Sequence, residues 1–192
     1  THANPDGDAM GSTLGFMHYL RAKGNRACVI TPTPYASFLK WLPGDKDVIV
    51  YTYQQELAHK MLDQADLVCC LDFNALHRIN ELGEKIAELP VKKAVIDHHL
   101  FPKDFQDVLI SNTKASSTCE LIYEIISLLD GEKAITEDIA HCLYTGILTD
   151  TGGFQFSCTS PRVHEITAKL LELGVEPDKV QNRVFNSFNE NR

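Results

Sequence analysis

The chain begins with three side chains that commonly bind metal ions, placed within seven residues. They are His2, Asp6 and Asp8, in the stretch THANPDGDAMGS. Imidazole and carboxylate groups at such short spacing can share one or two cations. The residues between them, Asn4, Pro5 and Gly7, favour a bend over a regular helix or strand. The stretch therefore predicts a metal-binding loop, followed by a helix that begins at about Ala9.

Further acidic and histidine side chains follow apolar runs elsewhere in the chain. Asp72 closes LVCCLD, and Asp97 closes AVID and is followed at once by His98 and His99. Asp150, in ILTDTGG, leaves an apolar helical pattern at a glycine-rich turn. Ligands in parallel α/β sheets bind outside the carboxyl ends of the strands. We therefore expect these segments to meet the opening loop at one edge of a sheet.

Two of these acids have ordinary structural alternatives. Asp72 could cap a helix that begins in NALHRI, since Asp is a favoured N-cap residue. Asp150 could be an acid of a simple turn. Asp97 and its two histidines are harder to explain in this way, because polar side chains directly after a buried strand must be either desolvated or at a cleft.

The combined donor set indicates which ions would bind. Three or four carboxylates with two imidazoles suit manganese or magnesium, and less well iron, cobalt or zinc. A calcium loop would need a closing Glu, and a zinc finger would need thiolates. So many ligands favour two ions. Two cations roughly 3.5 to 4 Å apart can activate a bridging hydroxide for attack on a phosphoryl group. The residues thus indicate hydrolysis of phosphoesters or phosphoanhydrides.

The elements that must position these groups alternate between strands and helices. Buried parallel strands are predicted at 27–30, 47–51, 65–72 and 92–97, from their apolar, β-branched content. Amphipathic helices are predicted over five stretches: 7–24, 77–90, 116–131, 136–153 and 160–174. The predicted fold is α/β, with a Rossmann-like parallel sheet flanked by helices and the dimetal site at the carboxyl ends of its strands.

Length, charge and cysteine usage limit the class of protein. With 192 residues and 44% hydrophobic content, the chain predicts one domain. A net charge of −8 argues against binding duplex DNA but not against a small phosphate-bearing substrate. Six cysteines without a C-x-x-C pair, many of them in apolar runs, are typical of a reducing compartment, and no run is long enough to span a membrane. We expect a cytoplasmic protein.

The motifs resemble a known family. HANPDGDAMGS, the strand-terminal Asp72, DHH at 97–99 and GILTDTGGFQF are similar, in the same order, to the four motifs of the DHH phosphoesterase superfamily. The sequence around them is most similar to the bifunctional oligoribonuclease and pAp phosphatase group. The resemblance implies that six residues hold the ions: His2 and Asp6 the first, Asp8 and His98 the second, Asp72 both, with Asp150 completing the centre.

The resemblance also implies roles beyond metal binding. His99 is expected to contact the scissile phosphate, and Asp97 to orient an adjacent histidine as its partner. The expected reactions are stepwise trimming of short single-stranded RNA and hydrolysis of pAp (3'-phosphoadenosine 5'-phosphate) to AMP, with manganese favoured over magnesium, cobalt, iron or zinc. The resemblance implies that full-length relatives carry a strand before the first motif and a second, DHH-associated domain after a linker helix. We expect residues 1–192 to be the DHH domain without these two parts.

Other functions remain open from the sequence. Some superfamily members are cyclic dinucleotide phosphodiesterases, and inorganic pyrophosphatases have a similar arrangement of motifs. A metal-dependent nucleotide-binding regulatory domain is the alternative without catalysis. A homodimer is also considered.

Two further stretches are candidates for substrate contacts. Ser116, Ser117 and Thr118 precede an apolar helix, beside Lys114, and a helix start can receive a phosphate. The alternative is a plain N-cap. The aromatic stretch 35–41 could stack a base, although such clusters more often belong to a core.

Overall fold

A computed structural model describes residues 1–186 as parallel strands flanked by α-helices. Its helices are α1 (Gly7–Ala22), α2 (Gln55–Asp63), α3 (Glu81–Glu88), α4 (Thr118–Asp130), α5 (Glu137–Asp150), α6 (Pro161–Glu172) and α7 (Pro177–Phe185). Its strands are β1 (Ile30–Thr31), β2 (Ile49–Val50), β3 (Leu67–Leu71), β4 (Lys92–Asp97) and β5 (Val108–Ser111). The predicted α/β fold with parallel strands and flanking helices is confirmed.

The strands form two sheets, where the sequence predicted one. In the first sheet β1 pairs with β2, and in the second the order is β3-β4-β5. Each pair is parallel, and the register sets Leu71 opposite Ile96 and Asp97 opposite Ser111. The carboxyl ends of β3 and β4 therefore lie side by side, which places Asp72 and the residues after Asp97 at one edge.

The helices pack in the way their apolar stripes predict. α1 lies mainly against α5, and α4 lies against both of them. Fully buried Ile122, Ile126, Ile139, Leu143 and Ile147 form the centre of this layer. Three helices begin with the expected side-chain caps, from Ser117, Thr136 and Ser160.

Three features differ from the sequence predictions. β5 was not predicted, because its short apolar stretch is exposed along its whole length and gives no alternating pattern. α2 was not predicted either. α1 begins at Gly7, the first residue of the predicted stretch 7–24 and two residues before the start expected at about Ala9, because Asp6 accepts a hydrogen bond from the Ala9 N–H and caps the helix.

The aromatic stretch 35–41 is partly buried and packs against the core. Phe38 and Trp41 pack against two of the hydrophobic clusters. The Tyr35 hydroxyl donates a 2.6 Å hydrogen bond to Asp45, and Arg183 lies over the Trp41 ring. These contacts favour the core interpretation over base stacking.

A cavity of about 380 Å³ lies between the two sheets. Its walls include Val29 and Ile30 on one side and Val68 to Leu71 on the other, and Thr1 lies against it. Among residues 1–186, no helix has both the length and the apolar character needed to cross a membrane.

Candidate metal centre

The loop before α1 is fixed at several points. Asn4 adopts a left-handed backbone conformation (φ 53°), which turns the chain as the Asn-Pro pair predicted. The Ala3 N–H donates a 2.8 Å hydrogen bond to the Arg78 carbonyl, and the Asn4 N–H donates to the Thr33 hydroxyl. Gly7 sits so close to Thr149 of α5 that a Cβ there would overlap that side chain. His2 and Asp6 are thereby held beside the end of α5.

Asp72 lies at the centre of the site. It is 1% exposed and adopts a left-handed conformation (φ 62°) directly after β3. Such a conformation in a non-glycine residue costs roughly 1–3 kcal/mol and is typical of functional positions. The Thr118 hydroxyl donates a 3.0 Å hydrogen bond to Asp72 Oδ1. Asp72 caps no helix, since the turn at Leu76–Ile79 starts after Ala75, so the N-cap alternative is excluded.

The predicted ligands meet in overlapping groups, each small enough to surround an ion. One contains His2, Asp6 and Asp72, and another contains Asp8, His98 and Asp150. A third joins Asp72 to His98 and His99. The two Asp72 oxygens face opposite ways: Oδ2 lies 3.3 Å from His2 Nε2, and Oδ1 lies 3.6 Å from His98 Nε2.

Asp8 is the most enclosed of these carboxylates. It is completely buried, and its two oxygens accept hydrogen bonds from the N–H groups of Thr118 (2.6 Å) and Cys119 (2.8 Å). The free N–H groups at the start of α4 therefore stabilise its negative charge. Oδ2 also lies 3.8 Å from His98 Nε2, and His98 Nε2 lies 3.4 Å from Asp150.

Asp97 holds His99 and not His98. It is completely buried, and Oδ1 lies 2.8 Å from His99 Nδ1 while Oδ2 accepts the His99 N–H at 2.9 Å. This pairing fixes the ring orientation and leaves Nε2 of His99 pointing away from Asp97. Asp97 thus fixes the orientation of His99, whose side chain is 36% exposed.

The carboxylates of this cluster lie close enough together to raise one another's pKa values. Burial and the charge of Asp72 raise the pKa of Asp150 to about 8, and they raise the pKa of Asp8 well above its ordinary value. Burial lowers the pKa of His2, but the nearby carboxylates of Asp6 and Asp72 outweigh it and raise that pKa to about 10. Divalent cations would relieve this repulsion, and the carboxylate and imidazole donors fit them.

The residues proposed for substrate contact lie deeper than expected. Ser116, Ser117 and Thr118 are all buried, and Ser117 caps α4 while Thr118 is bonded to Asp72. Lys114 is exposed near this turn. Their role toward substrate stays a prediction, whereas Thr118 contacts Asp8 and Asp72 directly.

Sequence reasoning overlooked Arg78. It lies in the turn Leu76–Ile79 after β3, and its Nη2 lies 3.5 Å from His99 Nε2. The feature of the sequence that could have indicated it is a basic side chain shortly after the strand-terminal Asp72.

Comparison with known proteins agrees with this geometry. The profile described as "DHH family, N-terminal domain" matches residues 1–147. The chain belongs to the DHH family. Among curated DHH relatives, the "Bifunctional oligoribonuclease and PAP phosphatase NrnA" of Thermus thermophilus is 33% identical over 96% of this chain. The match covers 52% of that relative, so the chain spans about half its length.

Solved structures support the same DHH fold. An exopolyphosphatase-related protein from Bacteroides fragilis superposes with a TM-score of 0.96 and is 42% identical, over 98% of this chain and 56% of that one. A putative family II inorganic pyrophosphatase from Methanococcus jannaschii gives a TM-score of 0.63 at 17% identity, over 95% and 59%. The second comparison supports the fold alone.

Proposed function

We propose that this chain is the dimetal domain of a phosphoesterase that trims short single-stranded RNA and converts pAp to AMP. The observation that carries the proposal is the position of Asp72 between two groups of ligands, with one oxygen facing each group. A carboxylate so placed suits two neighbouring ions, the arrangement used for in-line attack on phosphorus.

The proposed ligand assignment follows the two groups. His2 and Asp6 would hold the first ion, Asp8 and His98 the second, and Asp72 both, with Asp150 completing the centre. When bound, two divalent ions, manganese being our first choice, would supply a hydroxide at neutral pH and neutralise charge on the phosphoryl group.

The chain itself contributes a proton-handling group. Asp97 fixes Nδ1 of His99, so Nε2 is available to hold or protonate the leaving oxygen of the scissile phosphate. The hydrogen bond to Asp97 raises the pKa of His99. A raised pKa keeps the ring protonated to higher pH, as a group that donates a proton requires.

The choice of substrate rests on the relatives. Proteins named as bifunctional oligoribonuclease and PAP phosphatase occur at 33% identity in Thermus thermophilus and 27% in Bacillus subtilis.

All six cysteines are unpaired in the structure, which supports a reducing compartment such as the cytoplasm.

The test measures product release by the manganese-loaded protein from pAp, a dinucleotide and a pentanucleotide. We expect AMP from pAp and mononucleotides from the RNAs. Asp72→Asn should abolish turnover, and Asp63→Asn, which removes an exposed acid paired with Lys85, should not. Full turnover by Asp72→Asn would contradict the proposal. Tight nucleotide binding without hydrolysis by the wild-type protein would favour a regulatory domain instead.

A second candidate is cyclic dinucleotide hydrolysis. The "Cyclic-di-AMP phosphodiesterase PdeA" of Listeria monocytogenes is 26% identical over 94% of this chain, although the match covers only 28% of that protein. Cyclic di-AMP offered beside pAp separates the two, because preferential hydrolysis of the cyclic substrate would replace the first proposal.

We also propose that two copies associate along β5. This strand is at an edge of its sheet and exposes Val108, Leu109 and Ile110, which are 52%, 43% and 39% exposed. Unpaired edge strands with apolar side chains favour pairing with another chain. Light scattering on the wild-type protein and on Leu109→Lys should show a dimer that the substitution dissociates.

A further inference from the structure

Arg78 is held at the centre by its backbone. It lies in the turn Leu76–Ile79, its N–H donates to the Ala75 carbonyl at 3.0 Å, and its own carbonyl accepts the Ala3 N–H at 2.8 Å. The Arg78 turn therefore joins the loop after β3 to the opening loop that carries His2. These bonds involve only main-chain atoms of Arg78, so its side chain is not required for them.

The guanidinium of Arg78 faces the site without a carboxylate partner. Its Nη2 lies 3.5 Å from His99 Nε2, and within residues 1–186 no carboxylate oxygen lies within ion-pair distance of it. Arg21 and Arg162 differ, since both are bonded to acids on the surface. Arg78 is half-buried, and within residues 1–186 its guanidinium contacts the His99 ring.

This arrangement suits an anion that arrives from solution. A guanidinium presents two parallel N–H groups that match two oxygens of a phosphate, and it binds phosphate more strongly when partly shielded from water. Nε2 of His99 points at the same place, because Asp97 occupies Nδ1. The Arg78 guanidinium, in the turn after β3, and the His99 ring, directly after β4, thus lie together, and His99 Nδ1 is 3.7 Å from Asp72 of the carboxylate cluster.

We propose that Arg78 binds the scissile phosphate of the substrate together with His99, Arg78 on the non-bridging oxygens and His99 toward the leaving oxygen. The proposal rests on the proposed phosphoesterase function and extends it to a residue outside the metal ligands. It assigns to Arg78 recognition of the phosphate group itself, independent of the base or sugar attached to it.

The experiment compares wild-type protein with Arg78→Gln, Arg78→Lys and the control Arg21→Gln. Arg21 lies thirteen residues after Asp8 on α1, about 20 Å along the helix, and its guanidinium pairs with Asp47. Calorimetry measures manganese binding first and then binding of inorganic phosphate to the manganese-loaded protein. Neither measurement needs turnover.

We expect Arg78→Gln to weaken phosphate binding at least tenfold while manganese affinity changes less than twofold. Arg78→Lys should recover part of the loss, and Arg21→Gln should behave as wild type. Phosphate affinity within twofold of wild type in Arg78→Gln would overturn the proposal. A parallel loss of manganese binding would also overturn the proposal, because Arg78 would then act by holding the metal-binding residues in place and not by binding phosphate.

Kinetics separate this proposal from the proposed function. If wild-type protein hydrolyses pAp, Arg78→Gln should raise KM at least tenfold, and an unchanged kcat/KM would contradict the proposal. If wild-type protein hydrolyses none of the substrates, the proposed function fails. The dependence of phosphate binding on Arg78 still decides the role of Arg78 in that case.

Discussion

The hydroxyl of Thr118 donates a 3.0 Å hydrogen bond to Oδ1 of Asp72. Both residues are almost completely buried, and Thr118 is the first residue of α4 while Asp72 follows β3. The carboxylate that two ligand groups share is thus held by a helix start from a distant part of the chain. Partners of this kind orient metal ligands and affect affinity although they never contact the ion.

Thr118→Val should lower manganese affinity about tenfold, because outer partners of metal ligands typically contribute 10–100-fold. Calorimetric titration with manganese measures this. Thr118→Ser keeps the hydroxyl and should bind nearly as the wild type does. Thr167→Val is a matched control, since Thr167 is also buried and its hydroxyl, within the described part of the chain, donates only to the Val163 carbonyl of its own helix. Equal affinities for Thr118→Val and wild type would contradict the role.

Asp97→Asn should reduce kcat for pAp at least tenfold with little change in manganese affinity. The substitution removes the negative charge of Asp97, which orients His99. That charge also raises the pKa of His99, so the pKa should be lower in the variant. If protonated His99 donates to the leaving oxygen, activity falls as pH rises through its pKa. That fall should begin at lower pH in Asp97→Asn than in the wild type. Superimposable pH profiles of the two proteins would argue against this role of Asp97.

Metal-free protein should lose stability as the pH rises from about 6.5 to 8. The pKa of Asp150 is raised to about 8 and that of His2 to about 10, so the folded state binds more protons than the unfolded chain across this range. Stability then decreases with pH. Manganese replaces these protons, so the rise in Tm on adding manganese should be larger at pH 8 than at pH 6. An equal rise at both values would contradict the linkage.

Gly146→Ala should destabilise the protein by about 1–3 kcal/mol, the usual cost of overpacking. A Cβ at Gly146 would overlap the Cys119 sulfur and press on Asp8. Gly15→Ala is the matched control in the same helix pair, because its Cβ would lie 3.0 Å from the flexible end of Leu143 and at an ordinary contact distance of 3.5 Å from Cys142 Cβ. Chemical denaturation should show Gly15→Ala close to wild type. A Gly146→Ala variant as stable as Gly15→Ala would contradict this account of the packing.

The gathering of these acids and histidines could be predicted from the sequence, because side chains at the ends of parallel strands lie at one edge of the sheet. The order of Asp72 and the DHH triplet after apolar runs was sufficient for that. The contacts of Thr118 and Arg78 could not be predicted from the sequence. Each contact joins segments that are distant in sequence, and no local pattern determines which groups face each other. The serine-rich turn correctly predicted the start of α4, but not that its N–H groups would face Asp8.

The expected strand before Thr1 and the expected domain after the chain stay predictions.

The glycine-mediated packing of α1 on α5 has a consequence for the timing of metal uptake. Asp8 at the start of α1 and Asp150 at the end of α5 belong to helices in close contact, so their separation is fixed before any ion arrives. Asp6 caps α1, but its side chain is 56% exposed to solvent, whereas Asp8 is completely buried. We therefore expect the two ions to load in sequence, the ion at Asp8 and Asp150 first and exchanging slowly, the ion at Asp6 later and exchanging fast.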